Sequence, residues 1–218
     1  MPVVYRKKIH NGLLGVWEIN ETYTELYNQA DLNTDNKIQL QTFKSEHRKL
    51  EWLASRVLIK RLLPYKESLF ILYDTFGKPY LNDHPYKISI THSKKYVAIV
   101  VNELNDVGID IESIPSSKNA LWKIEKIAHK FASDQELDAL SPTMKQEQLF
   151  IIWGAKESLY KLCWNQNLLF KEHIYIEPFE YAQSGQLKGI INRNRHKSIF
   201  TLFYEIINDY LLVYVINE

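Results

Sequence analysis

The sequence has 218 residues, 45% of them hydrophobic and 24% charged, which is typical of a soluble globular chain with one large core or two small ones. Gly and Pro number only 7 each, so collagen-like and low-complexity classes are excluded. Lys and Arg number 27 against 26 Asp and Glu, and a formal net charge of +1 lacks the basic excess that a nucleic-acid partner requires.

The N-terminus, residues 1–14, has no apolar stretch long enough for a signal peptide, and no run approaches the roughly 20 apolar residues that cross a bilayer. The one cysteine, Cys163, cannot form an intrachain disulfide and is predicted to be a buried thiol. A reducing compartment fits this cysteine usage. We therefore expect a cytoplasmic protein without a membrane partner.

The first half of the chain mixes strand and helix patterns. The predicted elements are, in chain order, one or two strands over 3–19 broken at Asn11-Gly12, a short helix over 21–28, a helix over 43–63 ended by Pro64, a strand over 69–73, a loop over 75–79, and a hairpin with strands over 86–92 and 96–102. The helix over 43–63 is the clearest, because Leu50, Leu53 and Val57 recur at roughly helical spacing.

The second half is predicted to contain a strand over 107–112, helices over 120–131 and 144–164, and strands over 173–176, 187–191, 198–206 and 210–216. Ser133 and Glu136 match a capping box at a helix start. The apolar strands over 96–103 and 210–218 look alike, which leaves open either a duplicated α+β unit or chance. A short polar break at 104–106 predicts two subdomains, 1–104 and 105–218.

Two carboxylates lie in the motif Gly-Ile-Asp-Ile-Glu over 108–112. Because successive side chains of a strand point to opposite faces, Asp110 and Glu112 share one face. A hard cation such as Mg²⁺ would relieve their repulsion, since proteins hold this ion by one or two carboxylates together with substrate phosphates. The alternative is a solvated strand face, because Asp-x-Glu is a common string.

A second charged motif, over 153–161, reads Trp-Gly-Ala-Lys-Glu-Ser-Leu-Tyr-Lys. On a helix, Glu157 and Lys161 are neighbours one turn apart, with Lys156 at the flank. An ordinary surface pair of this kind contributes only about 0.3–0.5 kcal/mol. Aromatic side chains such as Trp153 crowd the same helix, so we expect these charges to be partly shielded from water.

Three weaker features could bind phosphate oxygens. They are the strand end Ser-Ile-Thr-His-Ser over 89–93, with Thr91 and His92; the loop Gly77-Lys78-Pro79; and the basic helix residues Arg48, Arg56, Lys60 and Arg61. Taken singly, each has a plainer interpretation as a turn, a surface histidine or a solvated helix face.

The order of these motifs is more specific than any one of them. A helix bearing Arg48, a G-K-P loop, a T-H-S segment, a G-I-D-I-E strand and a W-x-x-K-E-x-x-x-K helix follow one another between about Arg48 and Phe179. In this the sequence resembles the 4′-phosphopantetheinyl transferase superfamily, in particular its surfactin-synthetase-type branch. The resemblance implies an α+β fold, a pseudo-dimer of two similar α/β subdomains with the active site in the cleft between them.

The resemblance also implies residue roles. Asp110, Glu112 and Glu157 would be the magnesium ligands. Glu157 and Lys161 would be the catalytic residues, with Glu157 the candidate general base, directly or through water. The residues that would bind coenzyme A are Arg48, Arg56, Lys78, Thr91, His92, Lys156 and Lys161.

Within that set, Thr91 and His92 match the segment that binds the nucleotide phosphate, and Lys78 matches the loop that approaches the adenine nucleotide. Lys156 and Lys161 match the lysines near the pyrophosphate. Thr91 stands where the family usually has serine, a change that keeps the hydroxyl.

The implied activity is transfer of 4′-phosphopantetheine from coenzyme A to a serine of an apo acyl or peptidyl carrier protein, with release of adenosine 3′,5′-bisphosphate. Such chemistry asks the protein mainly for positioning and charge stabilisation. The implied partners are the carrier protein, coenzyme A and Mg²⁺, and a monomer would suffice. A different magnesium-dependent phosphotransferase has no P-loop or kinase motif to support it.

One departure from the family pattern supports an alternative function. After Lys161 the family has a glycine-containing turn, K-x-x-G-x-G-L, whereas this chain reads Leu-Cys-Trp-Asn-Gln-Asn-Leu over 162–168. Asn tolerates left-handed backbone, so a turn is still expected, although Trp164 is bulky. The alternative is a non-catalytic module that binds coenzyme A or a carrier protein on the same fold.

Overall fold

A computed structural model divides the chain into two compact units: Met1–Leu104, called unit 1, and Asn105–Glu218, called unit 2. The structure describes residues 3–64, 69–82, 84–114, 118–164, 167–193 and 195–218, and of 118–121 the backbone alone. Each unit contains one antiparallel sheet together with helices. The α+β class predicted from the sequence is therefore confirmed.

Unit 1 contains six strands and three helices among its described residues. They are β1 Val3–Ile9, β2 Gly12–Glu18, α1 Tyr23–Ala30, α2 Thr34–Thr42, α3 Glu46–Leu62, β3 Ile71–Tyr73, β4 Pro79–Leu81, β5 Lys87–Ser93 and β6 Tyr96–Asn102. The strand order is β1-β2-β6-β5-β4-β3, and neighbouring strands are antiparallel.

Local sequence explains where the elements of unit 1 turn and begin. Asn11 takes a left-handed φ of 51° between β1 and β2, a conformation that asparagine tolerates. Ser45 caps α3, because its side chain accepts the backbone N–H of Arg48. Along α3, Leu53 and Val57 are buried at helical spacing, as predicted, and join the core of unit 1.

Unit 2 carries its own sheet and helices. Its described elements are β7 Val107–Ser113, α4 Lys118–Phe131, α5 Asp134–Asp138, α6 Lys145–Cys163, α7 Phe170–His173, β8 Ile174–Ile176, β9 Ser184–Arg193, β10 His196–Ile207 and β11 Tyr210–Ile216. The strand order is β7-β11-β10-β9-β8. Every residue of β11 is buried, and this strand lies between β7 and β10.

Two glycines allow α6 to pack closely on the sheet of unit 2. A Cβ atom on Gly108 would lie 2.0 Å from the carbonyl oxygen of Ser158, and one on Gly154 would lie 2.9 Å from Val213 Cγ2. Ser158 Oγ also donates a hydrogen bond of 3.1 Å to the carbonyl of Val213. The absence of side chains at these two positions therefore lets α6 lie directly against β7 at Gly108 and against β11 at Gly154.

Some sequence predictions need correction. The sequence predicts neither α2 nor α7, because α2 buries only Asn36 and Leu40 and α7 has 4 residues. Cys163, predicted to be a buried thiol, is exposed at the end of α6. Arg56 does not lie on a solvated helix face, since only 2% of it is exposed. Pro115, predicted to close the strand of β7, lies outside the described residues.

Element bounds also shift by a few residues. The helix predicted over 21–28 runs from Tyr23 to Ala30, and the helix predicted over 43–63 begins at Glu46. No helix in the described part of the chain combines the length and apolar character needed to span a membrane.

Candidate active site

Two carboxylates lie on one face of β7. Asp110 is 4% exposed, and Glu112 is partly buried. The alternating residues Ile109 and Ile111 are buried on the opposite face, in keeping with the period of two along a strand. The alternation thus directs both acidic side chains to the same side of the sheet.

Helix α6 brings further charges to this place. Lys161 Nζ lies 2.7 Å from Asp110 Oδ1 and 3.9 Å from Glu157 Oε2. Trp153 Nε1 donates a hydrogen bond of 2.9 Å to Glu112 Oε1. The two charged motifs of the sequence therefore meet in one group, called the carboxylate cluster: Asp110, Glu112, Glu157 and Lys161.

The electrostatics of the cluster favour a protonated Glu157. Burial raises the pKa of the Glu157 carboxyl to about 7; the Lys161 ammonium opposes the rise, while the charges of Asp110 and Glu112 add to it. The Glu157 side chain keeps 25% of its surface exposed. A carboxyl that titrates near neutrality and reaches solvent has the properties of a general acid or base.

The donor set of the carboxylate cluster fits a hard divalent cation. Mg²⁺ prefers carboxylate oxygens, and Lys161 brings one positive charge to three carboxylates. Among the described residues, however, no three His, Cys, Asp or Glu side chains stand close enough to enclose a metal as they are. Lys161 Nζ lies between Asp110 and Glu157, so a cation that used both carboxylates would displace its contact with Asp110.

The ammonium of Lys156 is buried in the interior of unit 2. Its side chain has 0% exposure, and its ammonium lies 2.8 Å from Glu136 Oε2. The same ammonium donates to the carbonyl oxygens of Phe131, Phe170 and Ile174. Because its three N–H donors are shared among these buried acceptors, the ammonium is engaged within unit 2, and a role of Lys156 near the pyrophosphate stays a prediction.

The hydrogen bonds of Glu136, the partner of Lys156, indicate a structural role for this pair. Its Oε2 accepts the N–H and the hydroxyl of Ser133, which confirms the predicted capping box, and its Oε1 accepts the N–H of Ile176. The Lys156–Glu136 pair therefore ties α6 to α5 and β8 in the interior of unit 2, one residue away from Glu157.

On unit 1, α3 and β5 place another group of charges together. Glu51 Oε1 lies 3.0 Å from His92 Nδ1 and 3.2 Å from His47 Nε2, and Oε2 lies 3.3 Å from Arg48 Nη1. Arg48 Nη1 also contacts His92 Nε2. This group, called the Arg–Glu–His cluster (Arg48, Glu51 and His92), unites two of the residues predicted to bind coenzyme A.

Arg56 lies inside unit 1, stacked on Trp52 with its guanidinium carbon 3.5 Å from the ring centroid. Its Nη1 donates to the carbonyl of Trp52 at 3.3 Å and to Ser55 Oγ at 2.9 Å. In the part of the chain that is described, Nε and Nη2 have no acceptor. Burial lowers the pKa of Arg56 to about 10. A ligand or water oxygen would satisfy the two open donors, and a contact with coenzyme A stays a prediction.

Thr91 and Lys78 are placed on different features of unit 1. Thr91 is 4% exposed and lies on the opposite face of β5 from His92, so the two side chains do not present one surface. Lys78 follows Gly77, whose φ is 89°, in a loop where the Asp74 carboxylate accepts the Lys78 N–H at 2.8 Å. The roles of Thr91 and Lys78 toward coenzyme A stay predictions.

The segment after Lys161 keeps a turn at the first position where the family has glycine. Trp164 takes a left-handed φ of 42°, and its N–H donates to the carbonyl of Tyr160 at 2.7 Å. A bulky side chain is strained in this conformation. The rest of the predicted turn, Asn165 and Gln166, lies outside the described residues.

Sequence reasoning missed several residues that shape these clusters. Glu51 follows His47 and Arg48 by one helical turn, and this spacing was a usable signal for a charged group on α3. The sequence pattern predicts only that Trp153 shields nearby charges, whereas in the structure its indole N–H donates a hydrogen bond to Glu112. No local pattern signals the burial of Glu136 beside Lys156.

This chain is similar to known proteins over the region that contains the carboxylate cluster. The family model described as the 4′-phosphopantetheinyl transferase superfamily matches residues 106–214, half of the chain. The whole carboxylate cluster lies within that match, in unit 2. The Arg–Glu–His cluster lies outside it, so its assignment depends on the motifs of unit 1.

Individual relatives carry the same name. The 4′-phosphopantetheinyl transferase AcpT of Escherichia coli strain K12 is 31% identical over 116 residues, which are 52% of this chain and 57% of that protein. AcpT of Salmonella typhimurium LT2 is 30% identical over 117 residues, 52% of this chain and 58% of that protein. The chain thus matches little more than half the length of these curated relatives. From the family match and the cluster within it, the chain belongs to the 4′-phosphopantetheinyl transferase superfamily.

Proposed function

We propose that this chain is a magnesium-dependent enzyme that transfers 4′-phosphopantetheine from coenzyme A to a serine of an apo acyl or peptidyl carrier protein. Adenosine 3′,5′-bisphosphate is the other product. The observation that carries the proposal is the carboxylate cluster, which assembles within the residues that match the family. Relatives that are 30–31% identical to this chain over about half its length are named 4′-phosphopantetheinyl transferases.

Glu157 is the candidate base. In the reaction the serine oxygen bonds to the pantetheine-bearing phosphorus, the bond from that phosphorus to the nucleotide phosphate breaks, and the serine proton must leave. The carboxylate oxygens of Glu157 can accept this proton, because the side chain keeps 25% of its surface exposed. The proton would pass to Glu157 directly or through a water molecule, since the side chain reaches solvent.

Asp110, Glu112 and Glu157 would hold Mg²⁺, which when bound neutralises phosphate charge and polarises the phosphorus. Lys161, once released from Asp110, would stand beside the same phosphates and offset the charge that develops on the leaving group. Lys156 would act at a distance, because its buried contacts hold the part of α6 that carries Glu157.

The cationic residues of unit 1 would bind the nucleotide half of coenzyme A. Arg48 and His92 form a pair of nitrogen-rich side chains on α3 and β5 and would take the nucleotide phosphate. Lys78 would approach the adenine nucleotide from a loop in which Gly77 permits close backbone approach.

Intact-mass spectrometry of a purified apo carrier protein tests the proposal. Incubation with this chain, coenzyme A and Mg²⁺ should add about 340 Da, the mass of phosphopantetheine, and EDTA should abolish the gain. Glu147→Gln is a matched control, because Glu147 lies on the first turn of the same helix as Glu157. Its mass gain should equal that of the wild type.

The alternative, a non-catalytic binding module, is favoured by the strained Trp164 at the turn after Lys161. No mass gain with several apo carriers, while coenzyme A still binds, would support this alternative. Trp164→Gly restores the residue usual in the family. Recovery of the mass gain in that variant would trace the defect to the turn.

A further inference from the structure

A buried carboxylate of unit 1 has no role in the reaction as proposed so far. The side chain of Glu51 is 7% exposed, on the face of α3 that meets β5. Burying a carboxylate is unfavourable unless charges and hydrogen bonds compensate for the lost water. The compensating partners include Arg48 and His92, the two residues proposed to bind the nucleotide phosphate.

The contacts of His92 determine how its ring is protonated. Nδ1 lies 3.0 Å from Glu51 Oε1, and a carboxylate only accepts, so Nδ1 carries a hydrogen. Nε2 contacts Arg48 Nη1, and a guanidinium only donates, so Nε2 is an acceptor in this arrangement. A neutral imidazole with its hydrogen on Nδ1 is the form that suits both contacts.

A phosphate changes these requirements. Phosphate oxygens only accept, so Arg48 would turn its N–H groups toward them and leave His92 Nε2 without its donor. To face a phosphate oxygen, Nε2 must take a proton from solvent. The ring would then carry a positive charge beside Arg48, and the Glu51 carboxylate on Nδ1 is placed to compensate for it.

We infer that Glu51 is a positioning residue for phosphate binding, which holds Arg48 and His92 side by side and stabilises the protonated His92 that a phosphate requires. This inference rests on the proposed function, because the phosphate is one that coenzyme A carries. Binding of the nucleotide would therefore be accompanied by uptake of a proton.

The surrounding charges agree with this role. Burial raises the pKa of the Glu51 carboxyl, but the hydrogen bonds from His92 and Arg48, together with the charges that His92 and His47 carry when protonated, outweigh it, so this pKa lies below its ordinary value. Arg56 is a further guanidinium of α3 whose charge acts on Arg48. An ionised Glu51 thus stands among several cationic groups and reduces their mutual repulsion.

Calorimetric titration with coenzyme A, in two buffers of different ionisation enthalpy at neutral pH, measures both affinity and proton uptake. The wild type should take up about one proton. Glu51→Gln should bind about tenfold more weakly, the loss expected for one charged hydrogen bond, and should take up fewer protons. Glu51→Asp should recover part of both. Glu46→Gln is the control, since its side chain is 72% exposed on the same helix.

His92→Gln separates positioning from folding, because the His92 side chain is 40% exposed and its replacement leaves the buried carboxylate intact. This variant should bind without proton uptake, and adding Glu51→Gln to it should weaken binding little further. If wild type and Glu51→Gln show equal affinity and equal proton uptake, the inference about Glu51 is wrong, but the proposed function is unaffected. A wild type that does not bind coenzyme A would overturn the proposed function as well.

Discussion

The two units repeat one topology. In unit 1, β2 is followed by α1, α2 and the long helix α3, and after further strands β6 returns to pair with β2. In unit 2, β7 is followed by α4, α5 and the long helix α6, and after further strands β11 returns to pair with β7. The similar strands over 96–103 and 210–218 therefore hold the same place in their sheets, which favours duplication over chance.

The charges on this shared topology differ. The first strand of the repeat in unit 1 places Gly15 and Trp17 opposite β6, whereas that of unit 2 places Asp110 and Glu112 at the corresponding positions opposite β11. The long helix of unit 1 presents Arg48 near its start, and that of unit 2 presents carboxylate and ammonium groups in its second half. Apolar patterning thus determines the scaffold, and a few polar positions determine what each copy can bind.

The largest expected effect is a loss of turnover, caused by a change in unit 2 that leaves the proposed nucleotide-binding residues of unit 1 unaltered. Glu157→Gln removes the candidate base and one of the proposed magnesium ligands, so turnover should fall by about 10²- to 10⁴-fold. Affinity for coenzyme A should change much less, because the Arg–Glu–His cluster is untouched. Initial rates from intact-mass spectrometry measure turnover, and calorimetry measures the affinity for coenzyme A. Near-normal turnover with intact coenzyme A binding would remove Glu157 from both roles.

The next effect compares a buried ion pair of unit 2 with an exposed pair of unit 1. Lys156→Met strands the Glu136 carboxylate, so the free energy of unfolding should drop by about 3–5 kcal/mol. Lys95→Met breaks the exposed pair with Glu18, at 2.6 Å, and should cost at most about 1 kcal/mol. Denaturant midpoints give both values. Small, equal losses would mean that Lys156 does not organise the interior of unit 2.

A smaller effect compares the glycines beneath the two long helices. A Cβ on Gly108 would meet the backbone of Ser158 at 2.0 Å, whereas one on Gly15 would meet the movable side chain of Leu62 at 2.8 Å. Gly108→Ala should therefore destabilise the protein by about 1–3 kcal/mol, and Gly15→Ala by less. Thermal unfolding of the two variants tests the order. The reverse order would show that the packing of α6 on β7 is the looser of the two.

The smallest effect is a pH dependence confined to unit 2. Because the pKa of Glu157 rises to about 7 in the fold, the folded state holds a proton that the unfolded chain has already released. Metal-free stability should therefore fall as pH rises from about 5 to 7, by on the order of 1–2 kcal/mol given the partial exposure. Glu157→Gln should lack this decrease. Unfolding curves of both proteins at several pH values give the free energy of unfolding as a function of pH. If this free energy changes with pH in the same way for both proteins, the raised pKa of Glu157 is contradicted.

Sequence patterns predict some of this fold and not the rest. Long periodic or apolar elements such as α6 and β11 were recognisable from spacing alone. The polar helix α2 was not, because its sequence lacks an apolar stripe. Asp110 and Glu112 were placed on one face by strand alternation. That reasoning worked because it needed no distant contact.

Lys156 and Glu51 show where local reasoning ends. The family resemblance places Lys156 and its neighbour Glu157 at one ligand, yet neighbouring helix residues point in different directions. The acceptors of Lys156 come from segments between 14 and 25 residues away. The burial of Glu51 has no local signal, since its partner His92 comes from a distant strand. In both cases only tertiary structure determines which charges are buried.

The place of β7 at the edge of its sheet has a kinetic consequence. Its one neighbour in the described sheet is β11, and their register pairs Val107 with Ile216 and Ser113 with Tyr210. Closing a loop of about 100 residues is entropically costly, and such non-local pairings tend to form slowly. The pairing that holds Asp110 and Glu112 in the sheet therefore requires the two ends of unit 2 to meet.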